Sequence, residues 1–262
     1  MGLVSDFSLV GRIGLITGGL GPLGWALACD LAEAGARVLA VDLPDQVQRL
    51  RTAPAPAGIE AIACDLLVPQ NLNSLVARVE QEAFGLSFLI NNAAFTGGSH
   101  LTGYACAFED QSDEAFDAAL ALNLSVPFRL SRRLTGSLRR SGHGTIVNIA
   151  SIYGLVGPDL GLYEGTTMGN PAGYAASKGG LVQLTRYLST VLAPEIRVNC
   201  VSPGGIFRGQ DPHFVEKYEA KTPLGRMAKE EDLLGAVRWL VSGESSYVTG
   251  QVIAIDGGWT VW

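Results

Sequence analysis

The sequence predicts a single α/β domain built on a doubly wound, seven-stranded parallel sheet with helices on both faces. Three observations carry that expectation. Short apolar runs alternate with longer amphipathic ones along the 262 residues, the mark of repeated β-α units. The short runs are nearly continuous in Val, Ile, Leu and Ala, as in strands covered on both faces. A glycine-rich turn directly follows the first run and opens a helix.

Taken in order, the strands are expected at 13–17, 38–42, 59–64, 88–91, 145–150, 196–202 and 252–256. Helices are expected at 23–34, 71–83, 113–133, 174–192 and 230–242. The proline- and alanine-rich stretch 52–57 reads as a surface loop. Connections at 95–113 and 153–173 are long, and long connections in compact domains commonly serve as lids or binding loops. No repeat or second domain interrupts 1–262.

Composition narrows the function. Apolar residues make up 47% and charged ones 17%, so the chain buries a substantial core. A formal charge of −6 argues against a nucleic-acid partner, and the basic stretch 132–140 reads as a solvated helix end rather than an anion site. Cys29, Cys64, Cys106 and Cys200 are scattered, as are His100, His143 and His213, so neither a metal site nor a disulfide framework is expected. The start of the chain carries no secretory pattern, and Met1-Gly2 lacks the Ser or Thr at position 6 of a myristoylation signal. With no run of membrane-spanning length, a cytoplasmic protein is expected.

The turn Thr17-Gly18-Gly19-Leu20-Gly21-Pro22-Leu23-Gly24 suits a dinucleotide, because amides at a helix start can face phosphate oxygens. An ordinary strand-to-helix turn has the same local sequence. Asp42 ends the second strand 18 residues beyond Gly24, where a carboxylate can accept from an adenosine ribose and repel a 2′-phosphate. That favours NAD(H) over NADP(H), against the alternative of a solvated strand-end aspartate. Asp65 ends the third strand and reads either as an adenine contact or as a turn cap.

Tyr174 and Lys178 lie four residues apart, on one face of the expected helix 174–192. An alcohol losing a hydride must also lose a proton. A tyrosine can accept it once a neighbouring ammonium lowers its pKa from about 10. Ser151, just past the fifth strand, can hold the substrate oxygen or simply cap a turn. Asn123 is a poor helix former inside helix 113–133; its side chain is satisfied by backbone or binds a water that relays protons to Lys178.

With the glycine turn, Asp42, Asp65, Asn91-Asn92-Ala93-Ala94, Asn123, Ser151, Tyr174 with Lys178, Pro203-Gly204, the 222–226 stretch and Asp256-Gly257-Gly258, the whole chain resembles the classical short-chain dehydrogenases/reductases. The resemblance implies a Rossmann-type fold and a catalytic tetrad of Asn123, Ser151, Tyr174 and Lys178. It implies cofactor contacts from Thr17, Gly18, Leu20, Gly21, Leu23, Asp42, Asp65, Leu66, Asn92, Ala93, Tyr174, Lys178, Pro203, Gly204 and Ile206. It also implies a small-molecule alcohol or ketone substrate and a homo-oligomer, tetramer or dimer.

Four departures stand out. Pro22 replaces a glycine of the motif, which moves phosphate contacts to neighbouring amides such as that of Leu23. Ala94 replaces a second glycine, and Arg208 stands where a threonine often meets the carboxamide. An arginine there reaches an anionic substrate or folds outward. Ser151 and Tyr174 are 23 positions apart, much farther than the family's usual spacing. The insertion, 157–173, is expected to form a polar lid, or else an oligomer contact. A weaker likeness joins it to dehydrogenases of surface-polysaccharide and flagellin-glycan clusters.

The expected activity is therefore NAD(H)-dependent interconversion of a secondary alcohol and a ketone on a polar, sugar-like substrate touched by Tyr163, Glu164 and Arg208. The alternatives are a reductase of simple ketones or 3-oxoacyl thioesters, and a non-catalytic dinucleotide-binding regulator. Ser99, Glu109, Asp110 and Glu164 argue for a polar rather than an apolar pocket.

Overall fold

The computed structural model describes residues 7–50 and 56–262. Most of the expected loop 52–57 and the Met1-Gly2 start lie outside these described residues.

Within them the strands β1 (Ile13–Thr17), β2 (Arg37–Asp42), β3 (Ile59–Ala63), β4 (Phe88–Asn91), β5 (Thr145–Ile149), β6 (Arg197–Pro203) and β7 (Val252–Ile255) form one parallel sheet in the order β3-β2-β1-β4-β5-β6-β7. The strand order reverses between β1 and β4, and the crevice beyond their carboxyl ends is where such sheets bind ligands. The helices are α1 (Pro22–Glu33), α2 (Pro44–Leu50), α3 (Pro69–Glu80), α4 (Asp113–Leu120), α5 (Val126–Arg133), α6 (Thr135–Arg140), α7 (Ala172–Leu192), α8 (Pro212–Lys221) and α9 (Glu231–Val241).

Alternate strand residues explain the continuous apolar runs. Leu15, Leu89 and Ile146 pack with Leu75 and Val79 of α3, Leu130 of α5 and Leu188 of α7. Their neighbours Ile16, Ile90 and Val147 pack on the other face with Leu27 and Leu31 of α1 and Val237 and Leu240 of α9. Both faces are covered, so the strands are mostly apolar. Asn91 donates to Asn148 at 2.8 Å and Asn148 to Thr185 at 2.9 Å, which ties β4, β5 and α7 together below the crevice.

The structure departs from the sequence expectation in three places. The single helix expected at 113–133 is broken by a π turn, Ala121–Ser125, between α4 and α5. Pro127 explains part of this, since it has no amide hydrogen to continue the α ladder. The helices α2, α6 and α8 stand where none was expected; two of them, α2 and α6, are short, and short helices depend on tertiary packing more than on periodicity. Strand ends differ by about a residue, the usual uncertainty of boundaries.

Among the described residues no helix is long and apolar enough to cross a membrane, and no group of His, Cys, Asp or Glu is arranged to hold a metal ion.

Candidate active site

The glycine turn is held from three sides. Thr17 Oγ1 accepts from the amides of Asn92 at 3.0 Å and Ala93 at 3.1 Å, while Asn92 Nδ2 donates to the carbonyls of Thr17 and Gly18, each at 3.0 Å. Asp42 Oδ2 accepts from the Leu20 amide at 2.9 Å. Gly18 has φ +62°, and a Cβ there would stand 2.9 Å from Ala93 Cα, so only glycine fits. A Cβ on Gly24 would lie 2.0 Å from the Gly18 carbonyl, which fixes how closely α1 approaches the turn.

Pro22 occupies the first helical position after Gly21. An amide there would have no intrahelical acceptor, so its loss costs the helix nothing. Leu23, which lines the cavity described below, then carries the first amide hydrogen of α1.

At the other end of the crevice, Ser151 follows β5 and Tyr174 and Lys178 lie on α7. Lys178 is 3% exposed and donates from Nζ to the Ile149 carbonyl at 2.8 Å. Burial pulls its ammonium pKa down to about 8. Its Nζ lies 5.7 Å from the Tyr174 ring centroid. Burial pushes the Tyr174 phenol up, opposed by the Ser151 hydroxyl and then by the positive charge of Arg208. Arg208 is thus a further cation acting on Tyr174, beside the Lys178 to which the sequence pointed. Ser151 Oγ also accepts from the Tyr153 amide at 3.2 Å, the capping role weighed from sequence.

One cavity of about 740 Å³ runs from the glycine turn to α8. Gly18, Gly21, Leu23, Asp42, Asp65, Leu66, Asn92, Ala93, Pro203, Gly204 and Ile206 line it, together with Ser151, Tyr163, Tyr174, Lys178 and Arg208. Asp42 and Asp65 also carry structural bonds, Asp42 to the Leu20 and Leu43 amides and Asp65 to the Leu67 amide.

Four expected residues stand off the cavity wall. Thr17 and Leu20 act behind the turn through the bonds above. Asn123 is fully buried in the π turn, where its amide group accepts from Phe95 N at 2.8 Å and donates to Phe95 O and Ser177 Oγ, each at 3.0 Å. Its side chain thus bonds to the Phe95 backbone and to the Ser177 hydroxyl, with one Oδ1 lone pair left over. Glu164 is exposed, and like Ser99, Glu109 and Asp110 it does not line the cavity, so these four residues do not make the pocket polar.

A sequence profile described as Enoyl-(Acyl carrier protein) reductase matches residues 21–260. The 3-oxoacyl-(acyl-carrier-protein) reductase FabG of Thermotoga maritima is 31% identical, covering 95% of this chain and 98% of its own. A short chain dehydrogenase from Leptospira borgpetersenii, solved with bound NAD+, is 34% identical with a TM-score of 0.84, covering 97% of this chain and 95% of its own. A gluconate 5-dehydrogenase from Burkholderia cenocepacia, solved with NADP and tartrate, is 26% identical with a TM-score of 0.83 over 98% of each chain. The chain belongs to the short-chain dehydrogenase/reductase family. It is an oxidoreductase of alcohol and keto groups.

In this short-chain dehydrogenase/reductase the insertion forms a wall of the cavity through Tyr163, Met168, Gly169 and Asn170. It is clamped on both flanks. Lys217 of α8 donates to the carbonyls of Gly161 at 2.9 Å and Glu164 at 3.2 Å, and Lys221 pairs with Asp159. On the opposite flank the Ala172 amide donates to Gln111 Oε1 at 2.9 Å, and a Cβ on Gly97 would stand 2.6 Å from the Gly169 carbonyl.

Sequence reasoning missed Tyr153, Gln210, Phe214 and Tyr218 on the wall. Phe214 and Tyr218 are an i, i+4 aromatic pair, a signal available in the sequence. Tyr163 packs 5.2 Å from Phe214, and Tyr218 stacks 5.9 Å from Trp259. The apolar chain end is therefore divided: Trp259 folds onto its own chain, whereas Val261 and Trp262 are exposed.

Proposed function

We propose that this enzyme interconverts a secondary alcohol and a ketone on a polar, sugar-like substrate, with NAD(H) preferred over NADP(H). The observation that carries the reading is one continuous cavity with Ser151, Tyr174 and Lys178 at one end and the glycine turn with Asp42 at the other. The side-chain-free Gly18 and the unpaired first-turn amides of α1 suit a pyrophosphate. When bound, the dinucleotide supplies the hydride acceptor or donor.

The chain's own residues handle the proton. Tyr174 Oη takes the alcohol proton in oxidation and returns it in reduction, while the Ser151 hydroxyl holds the substrate oxygen beside it. Lys178 contributes positive charge beside Tyr174 and would hold the nicotinamide ribose of a bound dinucleotide. Asn123 acts as a positioning residue, holding the Phe95 backbone and Ser177 of α7. Cofactor choice rests on charge: the acids on the cavity wall are Asp42 and Asp65, which would face the adenosine, and its cations are Lys178 and Arg208, in the half that carries Tyr174. A 2′-phosphate beside Asp42 is repelled, whereas a ribose hydroxyl donates to it. The solved gluconate 5-dehydrogenase supports a sugar-like substrate.

The test is a panel of polyols, sugar acids, sugar phosphates and simple secondary alcohols, each assayed with NAD and NADP at the nicotinamide absorbance band. Turnover of polyhydroxylated compounds with NAD is expected. Exclusive turnover of apolar alcohols, or tighter calorimetric binding of NADP(H), overturns the corresponding half. One observation favours a second reading, a reductase of simple ketones or 3-oxoacyl thioesters: Met168, Phe214 and Met227 give the cavity an apolar side.

A further inference from the structure

The catalytic end of the cavity has hydrogen-bond donors and no carboxylate. Asp159 is paired with Lys221, Glu164 is exposed, and neither lines the wall. Arg208 does. Its Nε donates to Glu230 Oε1 at 3.0 Å, and among the described residues its two terminal nitrogens have no partner. Tyr153 and Tyr163 share one hydrogen bond of 3.1 Å between their hydroxyls. Only one O–H is used in that bond, so the pair still has one to donate. Burial pushes both phenols up, which keeps them protonated donors at neutral pH. Asn170, also on the wall, buries Nδ2 without an acceptor. Gln210 accepts from the Arg208 amide at 2.7 Å and donates one N–H to the Ile206 carbonyl at 2.7 Å, which leaves its second N–H as a further neutral donor.

We infer that the substrate is a hydroxy acid or the matching oxo acid, and that Arg208, with the Tyr153–Tyr163 pair, binds its carboxylate. This rests on the oxidoreductase reading above and narrows its substrate. A guanidinium edge offers two parallel donors that match a planar carboxylate. Glu230 fixes the Nε side of the fork and leaves the terminal nitrogens for the ligand. The same glutamate offsets part of the charge, which suits a monoanion better than a phosphate dianion. A neutral polyol would leave the terminal nitrogens of Arg208 and the spare phenol without an anionic acceptor.

The experiment compares matched pairs that differ only in charge, gluconate with gluconamide and 3-hydroxybutyrate with 3-hydroxybutyramide, alongside glucose 6-phosphate. They are assayed on the full chain and on R208Q and R208K. The acids are expected to exceed their amides by about 10- to 100-fold in kcat/KM, the range of a charge-assisted hydrogen bond. R208Q is expected to bring that ratio near one, R208K to restore part of it, and NADH affinity to stay unchanged in both. Equal use of acid and amide, or a ratio untouched by R208Q, overturns the inference while the oxidoreductase reading stands. An Arg208-dependent preference for the phosphate ester overturns the choice of carboxylate. If none of these compounds is turned over, the sugar-like reading falls, and calorimetry decides the inference on its own. Gluconate binding to the NADH-loaded protein that weakens at least tenfold in R208Q supports it, and equal or absent binding overturns it.

Discussion

Tyr174 sits in opposing influences, burial raising its pKa while Ser151 and Arg208 lower it. The free phenol is therefore protonated at neutral pH, ready to donate to a ketone. Tyr174→Phe is expected to lose about 10²–10⁴-fold in turnover with cofactor binding intact; near-normal turnover would remove the assignment. Arg208→Gln withdraws a cation, so the rise of alcohol oxidation with pH should move to higher pH in that variant. Lys178 gives a stability prediction with a definite sign. Its folded pKa of about 8 lies below the ordinary 10.5, so between these values the unfolded chain binds the extra proton and stability rises with pH. Lys178→Met removes the buried ammonium, so it should be more stable than the parent at pH 7 and inactive or nearly so. The stability difference should shrink from pH 8 to 10.5, read by urea unfolding at each pH. Tyr174, Ser151 and Lys178 were legible from sequence because each is marked locally, by helical spacing or a strand end. Tyr153 was not singled out, because it is joined to the site only through the folded insertion, by its bond to Tyr163.

At the scale of elements, the π turn explains an asparagine that looks misplaced in a helix. Asn123 makes three side-chain hydrogen bonds to the Phe95 backbone and Ser177, joining the 95–112 loop to α7. Asn123→Ala leaves these groups unpaired in the interior and should cost about 2–4 kcal/mol, from a few lost hydrogen bonds of about 1 kcal/mol each plus desolvation. Chemical denaturation and hydrogen exchange at the Phe95 amide measure it. Sequence flagged the residue and not the break, since a π turn has no periodicity of its own. The helix α8 went unseen for a different reason: its buried Phe214 and Tyr218 pack against the insertion and the chain end rather than the sheet core. Replacing 158–171 by a short glycine-serine linker should keep NAD binding and sharply weaken substrate use. Unchanged substrate use in that variant would leave the insertion no part in selecting the substrate.

For the molecule as a whole, the strand runs were legible because both faces of the sheet are covered, which makes the strands mostly apolar. The resemblance implies an oligomer built through the long helices near 113–133 and 174–192. Phe116 of α4, Phe128 of α5 and Tyr187 and Val191 of α7 are exposed, and such a surface supports self-association. Light scattering should find a dimer or tetramer, and Phe128→Glu with Tyr187→Glu should lower its mass. A monomeric parent would contradict the expected oligomer.

The close approach of Gly97 to the Gly169 carbonyl bears on how such an enzyme can change its diet. Two loops far apart in sequence share a seam with no room for a single methyl group, at 2.6 Å, and Gln111 bonds across it. Swapping one loop from a relative brings a side chain or a turn that its counterpart has not been shaped to meet. On the reading proposed above, new selectivity is reached by exchanging 95–112 and 157–173 as a matched pair, which makes the heritable unit of specificity a pair of segments rather than one.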